Sequence, residues 1–225
     1  MKKNPFENCE NCDADCVFKQ RDLREKISTI SAANTLSYTK GKKIFEAGEP
    51  IVGFYVVCEG LVKEISNRSI QKDITLRLLK PGDILISDSF LRNHGWYTTS
   101  AKALTDTVVL FLEKDMFSKM VQMSDHRMAK EIAKNMKYLR KNIELYYCSV
   151  QERTAYWLVN IQQKFSKYLT LTNRELAEIV GCSSVTISKT LNTLESRGMV
   201  YKSRKKLIIR DEDKLRKEAT CANFT

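Results

Sequence analysis

Between Gly41 and Leu112 the chain alternates short apolar bursts with glycine, proline or charge. Ile44-Phe45, Gly53-Phe54-Tyr55-Val56-Val57, Leu61-Val62, Ile74-Thr75-Leu76, Ile84-Leu85-Ile86 and Val108-Val109-Leu110-Phe111-Leu112 are each too short for a stable helix. Six of the eight glycines fall between Gly41 and Gly95. Many short strands between turn residues predict an all-β sandwich or barrel. Alternation in Leu61-Val62-Lys63-Glu64-Ile65 and in Asp73–Leu79 predicts one apolar face on each strand.

The period then changes. From Asp125, a plausible N-cap, to Val150 there is no glycine or proline. Ala129, Ile132, Met136, Leu139, Ile143, Tyr146 and Val150 recur at alternating spacings of three and four. So regular a narrow seam, flanked by basic residues, predicts two identical helices packed along each other. A helix packed on its own domain is the alternative. A further helix is expected over Val150–Phe165, then two shorter helices around a turn and a hairpin. The chain therefore divides into a cysteine-rich segment (1–20), a β-domain (21–124), a long helix (125–150) and a small terminal domain (151–225).

Composition narrows the function classes. The chain has 225 residues, 43% hydrophobic and 29% charged, the balance of a globular protein. No apolar run approaches the roughly 18–20 residues of a membrane span. Met1–Glu7 is basic with no apolar stretch behind it, so no signal peptide and a cytoplasmic location are expected. The formal net charge is +11, divided as −1 in residues 1–20, +6 in 21–148 and +6 in the much shorter 149–225. A basic terminal third points to nucleic acid, or else to a solvated basic surface. Seven cysteines, an odd number, argue against a disulfide framework in such a location.

The segment from Leu171 to Glu195 follows helix-turn-helix grammar. Thr172 can cap a first helix, with Glu175 completing a capping box. Leu176, Ala177 and Val180 form an inner face, and Gly181 supplies the left-handed turn. Ser183 can cap a second helix carrying Ile187, Leu191 and Leu194 inward. Its outward face is Ser184, Val185, Ser188, Lys189 and Asn192. These are short hydrogen-bonding groups, one methyl-bearing side chain and one cation, suited to base edges and the thymine methyl. Lys202-Ser203-Arg204-Lys205-Lys206 then reads as the basic tip of a wing, suited to phosphates. The DNA-contact set is Thr172, Ser183, Ser184, Val185, Thr186, Ser188, Lys189, Asn192, Lys202, Arg204 and Lys205.

With these residues in place, the chain resembles the CRP/FNR family of transcription regulators over nearly all its length. Gly41–Glu49 resembles the family's first β-roll strand and turn, and Phe54–Lys63 the next hairpin. Lys80-Pro81-Gly82-Asp83 matches its Pro-Gly-Asp turn, and Gln151–Ala155 resembles the helix entering its DNA-binding domain. The resemblance implies an α+β fold: an N-terminal cyclic-nucleotide-binding-like β-roll, a long dimerisation helix and a C-terminal winged helix-turn-helix. It also implies activation through RNA polymerase.

Two departures bear on mechanism. Cyclic-AMP binders of this fold carry a Gly-Glu pair that takes the ribose, then an Arg-Ser/Thr stretch that takes the phosphate. Ile86-Ser87 and Tyr97-Thr98-Thr99 stand there instead, so cyclic AMP is not expected as ligand. In the recognition helix, Val185 stands at the family's usual Glu and Lys189 at its usual Arg. The operator should therefore differ from the usual half-site. Trp96 and Tyr97 can line an apolar effector pocket or simply pack.

Oxygen sensors of the FNR type also carry an N-terminal cysteine cluster. Cys9, Cys12 and Cys16 can supply three thiolates to a [4Fe–4S] cluster. Their spacing is tighter than in those sensors, and Leu110 stands where the fourth cysteine is usual. Cys58, Cys148, Asp13 or Asp15 can substitute. Zinc, a metal-free thiol switch, and inert cysteines with a small effector in the roll are the alternatives. Cys58 and Cys182 read as apolar fillers. His94 and His126 read as solvated or packing residues, with haem ligation conceivable for either.

These readings converge on a homodimeric, sequence-specific regulator, not an enzyme, with no membrane partner. Its dimer interface is Ala129, Ile132, Met136, Leu139, Ile143 and Tyr146. The operator should be a palindrome with half-sites about one helical turn apart. A cysteine-dependent redox protein is the rival class. Against it, the chain has no nucleotide-binding glycine loop and no Ser/His/Asp arrangement.

Overall fold

The computed structural model describes residues 14, 16–19, 24–25, 33–66, 74–123, 126–165, 168–169, 171–203 and 206–219. The chain forms two compact units, Met1–Asn67 with Leu76–Lys137, and Arg68–Thr75 with Tyr138–Thr225.

The first unit is a roll of two four-stranded sheets. Its strands are β1 (Asn34–Tyr38), β2 (Lys43–Phe45), β3 (Gly53–Glu59), β4 (Val62–Ser66), β5 (Ile74–Leu79), β6 (Ile84–Leu85), β7 (Ser100–Ala103) and β8 (Thr107–Glu113). They lie in the orders β1-β8-β3-β6 and β2-β7-β4-β5. The central β3–β8 pair is antiparallel, with Phe54 opposite Leu112 and Val56 opposite Leu110. All four of these side chains join the apolar core, together with Phe18, Ile84, Leu85, Met116 and Met120. Phe54, Phe90 and Phe117 meet edge to face, with centroids 5.1 to 5.8 Å apart, a favoured aromatic geometry. Gly60 turns β3 into β4 at φ 84°. A side chain there would also run into the Asp106 carbonyl, so glycine is required twice over.

The expected strands are present, but the elements with weak sequence signals were not anticipated. β7 is Ser-Ala-Lys-Ala, poor in β-branched residues, yet it is the inner strand between β2 and β4. β1 is a polar edge strand paired to β8. Helix α1 (Asp88–Leu91) is capped by Ser87. Helix α2 (Lys114–Met123) buries Met116 and Met120, one turn apart.

The long helix is shorter than its seam suggests. Helix α3 runs Arg127–Tyr146 and helix α4 runs Val150–Phe165. Ser149 and Glu152 cap each other between them: the Ser149 amide donates to the Glu152 carboxylate at 2.8 Å, and the Glu152 amide to Ser149 Oγ at 3.3 Å. This reciprocal cap starts a new helix where the apolar spacing alone reads as continuous. Asp125, the expected cap of α3, lies outside the described residues, and His126 is an exposed turn residue just ahead of the helix.

The second unit contains α4, β9 (Tyr168–Leu169), α5 (Asn173–Val180), α6 (Ser184–Ser196), β10 (Val200–Lys202), β11 (Leu207–Ile209) and α7 (Glu212–Glu218). α4 packs against α5, α6 and α7, burying Ala155, Leu158, Val159 and Ile161. The small sheet has the order β10-β11-β9. None of the helices in the described residues is long and apolar enough to cross a membrane.

Phe54→Ala should destabilise the fold by about 3–5 kcal/mol in urea denaturation. Trp96→Ala, on a side chain 60% exposed, should change stability by no more than about 0.5 kcal/mol.

Candidate nucleic-acid interface

The interface is assembled by local capping. Thr172 Oγ1 accepts the Glu175 amide at 3.1 Å, and the Glu175 carboxylate accepts the Thr172 amide at 2.7 Å. α5 ends on Gly181 at φ 76° and ψ 44°, whose amide donates to the Ala177 carbonyl. Ser183 Oγ then accepts the Thr186 amide at 3.0 Å and starts α6. Leu176, Ala177, Ile179 and Val180 of α5 are buried with Ile187, Thr190, Leu191 and Leu194 of α6. With those faces occupied, the opposite face of α6 is left to solvent.

On that face Ser184, Lys189 and Asn192 are exposed, Ser188 and Thr186 are half-buried, and Val185 is 66% exposed. An isolated valine that exposed has a methyl pair available for an apolar contact, among neighbours able to hydrogen-bond. Thr172 and Ser183 are also exposed, but their hydroxyls already serve the helix caps.

The wing is the antiparallel β10–β11 pair. Ser203 and Lys206 exchange backbone hydrogen bonds across its tip. Arg204 and Lys205, the expected phosphate contacts, lie outside the described residues. Lys202 is brought to the recognition helix: its ammonium meets Asn192 Oδ1 and lies 3.8 Å from the Glu195 carboxylate. The Lys202 amide donates to Glu195 Oε1 at 2.8 Å. Two members of the expected contact set are thus linked, with Glu195 as their anchor.

Three exposed residues on the same unit escaped the sequence reading. Arg174 follows the Thr172 cap and is 86% exposed, with its Nε 3.5 Å from Glu178. Arg210 lies over the Tyr201 ring at 4.7 Å to the centroid, a cation–π pair on the wing. Their only sequence signal is a cation one position beyond a cap and an aromatic–Arg pair across a hairpin.

In the roll, the positions of interest hold no residue aimed outward to meet a phosphate. Ser87 Oγ caps α1 and pairs with Ser89 Oγ at 2.8 Å. Tyr97 is buried, stacks on Phe45 with centroids 3.9 Å apart, and donates its hydroxyl to the Gly53 carbonyl at 2.9 Å. Burial, with Tyr55 beside it, pushes the Tyr97 phenol well above its ordinary pKa, so it is a neutral donor. Trp96 and Tyr97 therefore do not line one pocket: the first faces solvent and the second is core.

The residues of the expected dimer seam divide by exposure. Met136 is 67% exposed, Ile143 65% and Tyr146 80%. Ala129 is exposed and Ile132 half-buried, while the Leu139 side chain lies outside the described residues. Cys9 and Cys12 also lie outside them. Cys16 is a half-buried thiol whose Sγ accepts the Phe18 amide at 3.3 Å. Among the described residues no group of three His, Cys, Asp or Glu side chains is placed to hold a metal. Cys58 and Cys182 are half-buried thiols. Cys148, by contrast, is disulfide-bonded, a single bridge where the sequence argued against a disulfide framework, and its sulfur partner lies outside the described residues. A cysteine so bonded is not also a thiolate ligand.

Residues 35–124 match the cyclic nucleotide-binding domain and residues 152–218 the Crp-like helix-turn-helix domain. The chain is 29% identical over 170 residues to the cyclic AMP receptor protein of Thermus thermophilus, covering 72% of this chain and 77% of that protein. It is 25% identical over 225 residues to the anaerobic regulatory protein of Bacillus subtilis, covering 94% and 92%. Among solved structures, FixK2 of Bradyrhizobium japonicum shares the fold, with a TM-score of 0.71 at 19% identity, covering 83% of this chain and 97% of that one. The roll followed by this helix-turn-helix makes the chain a member of the CRP/FNR family, a DNA-binding transcription regulator. Its relatives are regulators, not enzymes.

Lys189→Ala should cost about 1–3 kcal/mol in binding to a selected operator, measured by fluorescence anisotropy, and should weaken binding to random duplex much less. An equal loss on both duplexes would remove Lys189 from base readout.

Proposed function

We propose that the protein acts in the cytoplasm as a homodimer on a palindromic operator and activates transcription with RNA polymerase, in response to a redox, oxygen or nitric oxide signal at its N-terminal cysteines. The observation that carries the DNA-binding half is the outward row Ser184, Val185, Ser188, Lys189 and Asn192, held on a helix capped at Ser183. Thr172, Ser183 and Thr186 contribute through the caps, while Lys202, Arg204 and Lys205 supply phosphate contacts that set affinity and orientation.

The dimer reading is supported by α3. A helix showing Met136, Ile143 and Tyr146 to water has a stripe that needs a cover. A second copy of the same seam covers it with matching side chains, and Ala129, Ile132 and Leu139 complete the repeat. Paired α3 helices would set the spacing of two recognition helices, so that a signal reaching them changes operator affinity by shifting a two-state equilibrium.

For the signal, Cys9, Cys12 and Cys16 fit as ligands of a [4Fe–4S] cluster. They are three soft thiols within eight residues. Cys16 already receives a backbone N–H, the kind of hydrogen bond that tunes such sulfurs. When bound, the cluster supplies an oxygen-labile one-electron centre. Cys58, Asp13 and Asp15 remain for the fourth position. The relative from Bacillus subtilis is named an anaerobic regulatory protein, which favours this kind of signal.

The Cys148 disulfide favours a second reading, a metal-free thiol switch. Two thiols would yield two electrons and two protons to a hydroperoxide, which leaves as alcohol and water, and one S–S bond would form.

Protein purified without oxygen should contain about four iron and four sulfide per chain, as a [4Fe–4S] cluster requires. Cys16→Ala should lose them. Absence of both, with operator binding that responds to thiol reductant alone, would replace the cluster by the thiol switch. Met136→Glu with Ile143→Glu should give a monomer in sedimentation and lower operator affinity by about 10²-fold or more, the avidity of a second half-site. A dimer persisting in that variant would move the interface elsewhere.

A further inference from the structure

The polar members of the β4 alternation are not in water. Glu64 on β4 and Arg77 on β5 are both buried, their side chains each 5% exposed, and they form an ion pair with Arg77 Nε 2.5 Å from Glu64 Oε2. The remaining groups of the pair are also engaged. Arg77 Nη2 donates to the Ile86 carbonyl at 2.7 Å, and Nη1 donates to Asn135 Oδ1 of α3. Glu64 Oε1 accepts the Thr99 hydroxyl at 2.7 Å.

The partners lie in a telling place. Ile86 belongs to the position where cyclic-nucleotide binders of this fold hold the ribose, and Thr99 to the stretch where they hold the phosphate. The pair spans both. The neighbouring side chains are committed elsewhere: Ser87 to a cap, Tyr97 to the core and Thr98 to Asp88. A nucleotide entering here would have to break a buried ion pair and the hydrogen bonds around it, which costs more than breaking a surface contact.

The pair also seats α3. Asn135 holds Arg77, and the preceding Lys134 makes an ion pair with Asp83, the acid of the Pro-Gly-Asp turn. Asp83 is itself buried and accepts the Lys80 amide at 2.9 Å. Two consecutive residues of α3 are thus fastened to two buried charges of the roll. The next residue, Met136, points its side chain into solvent.

We propose that the Glu64–Arg77 pair is the protein's internal substitute for a bound nucleotide. It fills the nucleotide position, excludes cyclic nucleotides, and fixes through Asn135 the rotation at which α3 presents its apolar stripe. Arg77 and Asn135 are positioning residues. The last clause rests on the dimer reading, whereas the exclusion of nucleotides does not.

The test uses the full-length protein and a selected operator. Millimolar cyclic AMP or cyclic GMP should give no binding heat with the wild type and should leave operator affinity within about twofold. Asn135→Ala should keep the wild-type circular dichroism spectrum of a folded protein while lowering dimerisation and operator affinity by about fivefold or more. Glu64→Gln with Arg77→Met removes both charges without stranding either and should lower them similarly. Adding Asn135→Ala to that background should cost nothing further, because the contact is already gone. Micromolar cyclic-nucleotide binding by the wild type would overturn the proposal. So would wild-type dimerisation and operator affinity in Asn135→Ala, a readout that holds even if the charge variant fails to fold. A wild type that neither dimerises nor binds DNA would defeat the proposed function and the α3 clause together, while the nucleotide titration would still decide the exclusion.

Discussion

A guanidinium buried between strands has to find acceptors for its donors, and everything near it is arranged accordingly. Arg77 takes a carboxylate from β4, a main-chain carbonyl from the end of β6 and an amide oxygen from α3. None of these acceptors is adjacent to another in sequence. Satisfying one side chain therefore ties two neighbouring strands, the turn before α1 and the long helix into a single arrangement. With Lys134 on Asp83 beside it, the middle of α3 is held by polar contacts, while Met128 and Leu145 are buried towards its two ends. Met136, Ile143 and Tyr146 of the same helix are exposed.

The DNA-binding unit rests on different physics. Its geometry is local: a capping box at Thr172, a left-handed glycine at 181 and a serine cap at 183 set the ends of the two helices through contacts within four residues. More distant contacts order the surface. Glu195 receives the Lys202 amide and lies near its ammonium, while Asn192 accepts from the same ammonium. Side chains held this way lose less freedom on meeting a ligand than unrestrained ones. Arg174, at 86% exposure, has no comparable restraint from its 3.5 Å ion pair with Glu178, since exposed pairs of this kind are weak.

The cysteines belong to two chemistries. Cys16, Cys58 and Cys182 are thiols, whereas Cys148 is oxidised to a disulfide just ahead of the Ser149 cap. Cys148 therefore sits at the break between α3 and α4, where the helix register is reset.

Much of this architecture was legible in the chain itself. The helix-turn-helix was readable residue by residue because capping, turn formation and helical periodicity are short-range. The strands rich in Val, Ile and aromatic residues were readable for the same reason. β7 was not, because Ser-Ala-Lys-Ala becomes a strand only through its neighbours β2 and β4. Nor was the fate of Lys63, Glu64 and Arg77. Alternation tells which side chains share a face, but whether that face meets water depends on what is packed against it. The sequence by itself determined the apolar-rich strands, the helix-turn-helix and the three-and-four spacing along α3, since each follows from contacts within a few residues. Only the tertiary structure decided that Glu64 and Arg77 form a buried ion pair, because an ion pair between residues 64 and 77 that also reaches 135 exists only once the roll and the helix have come together.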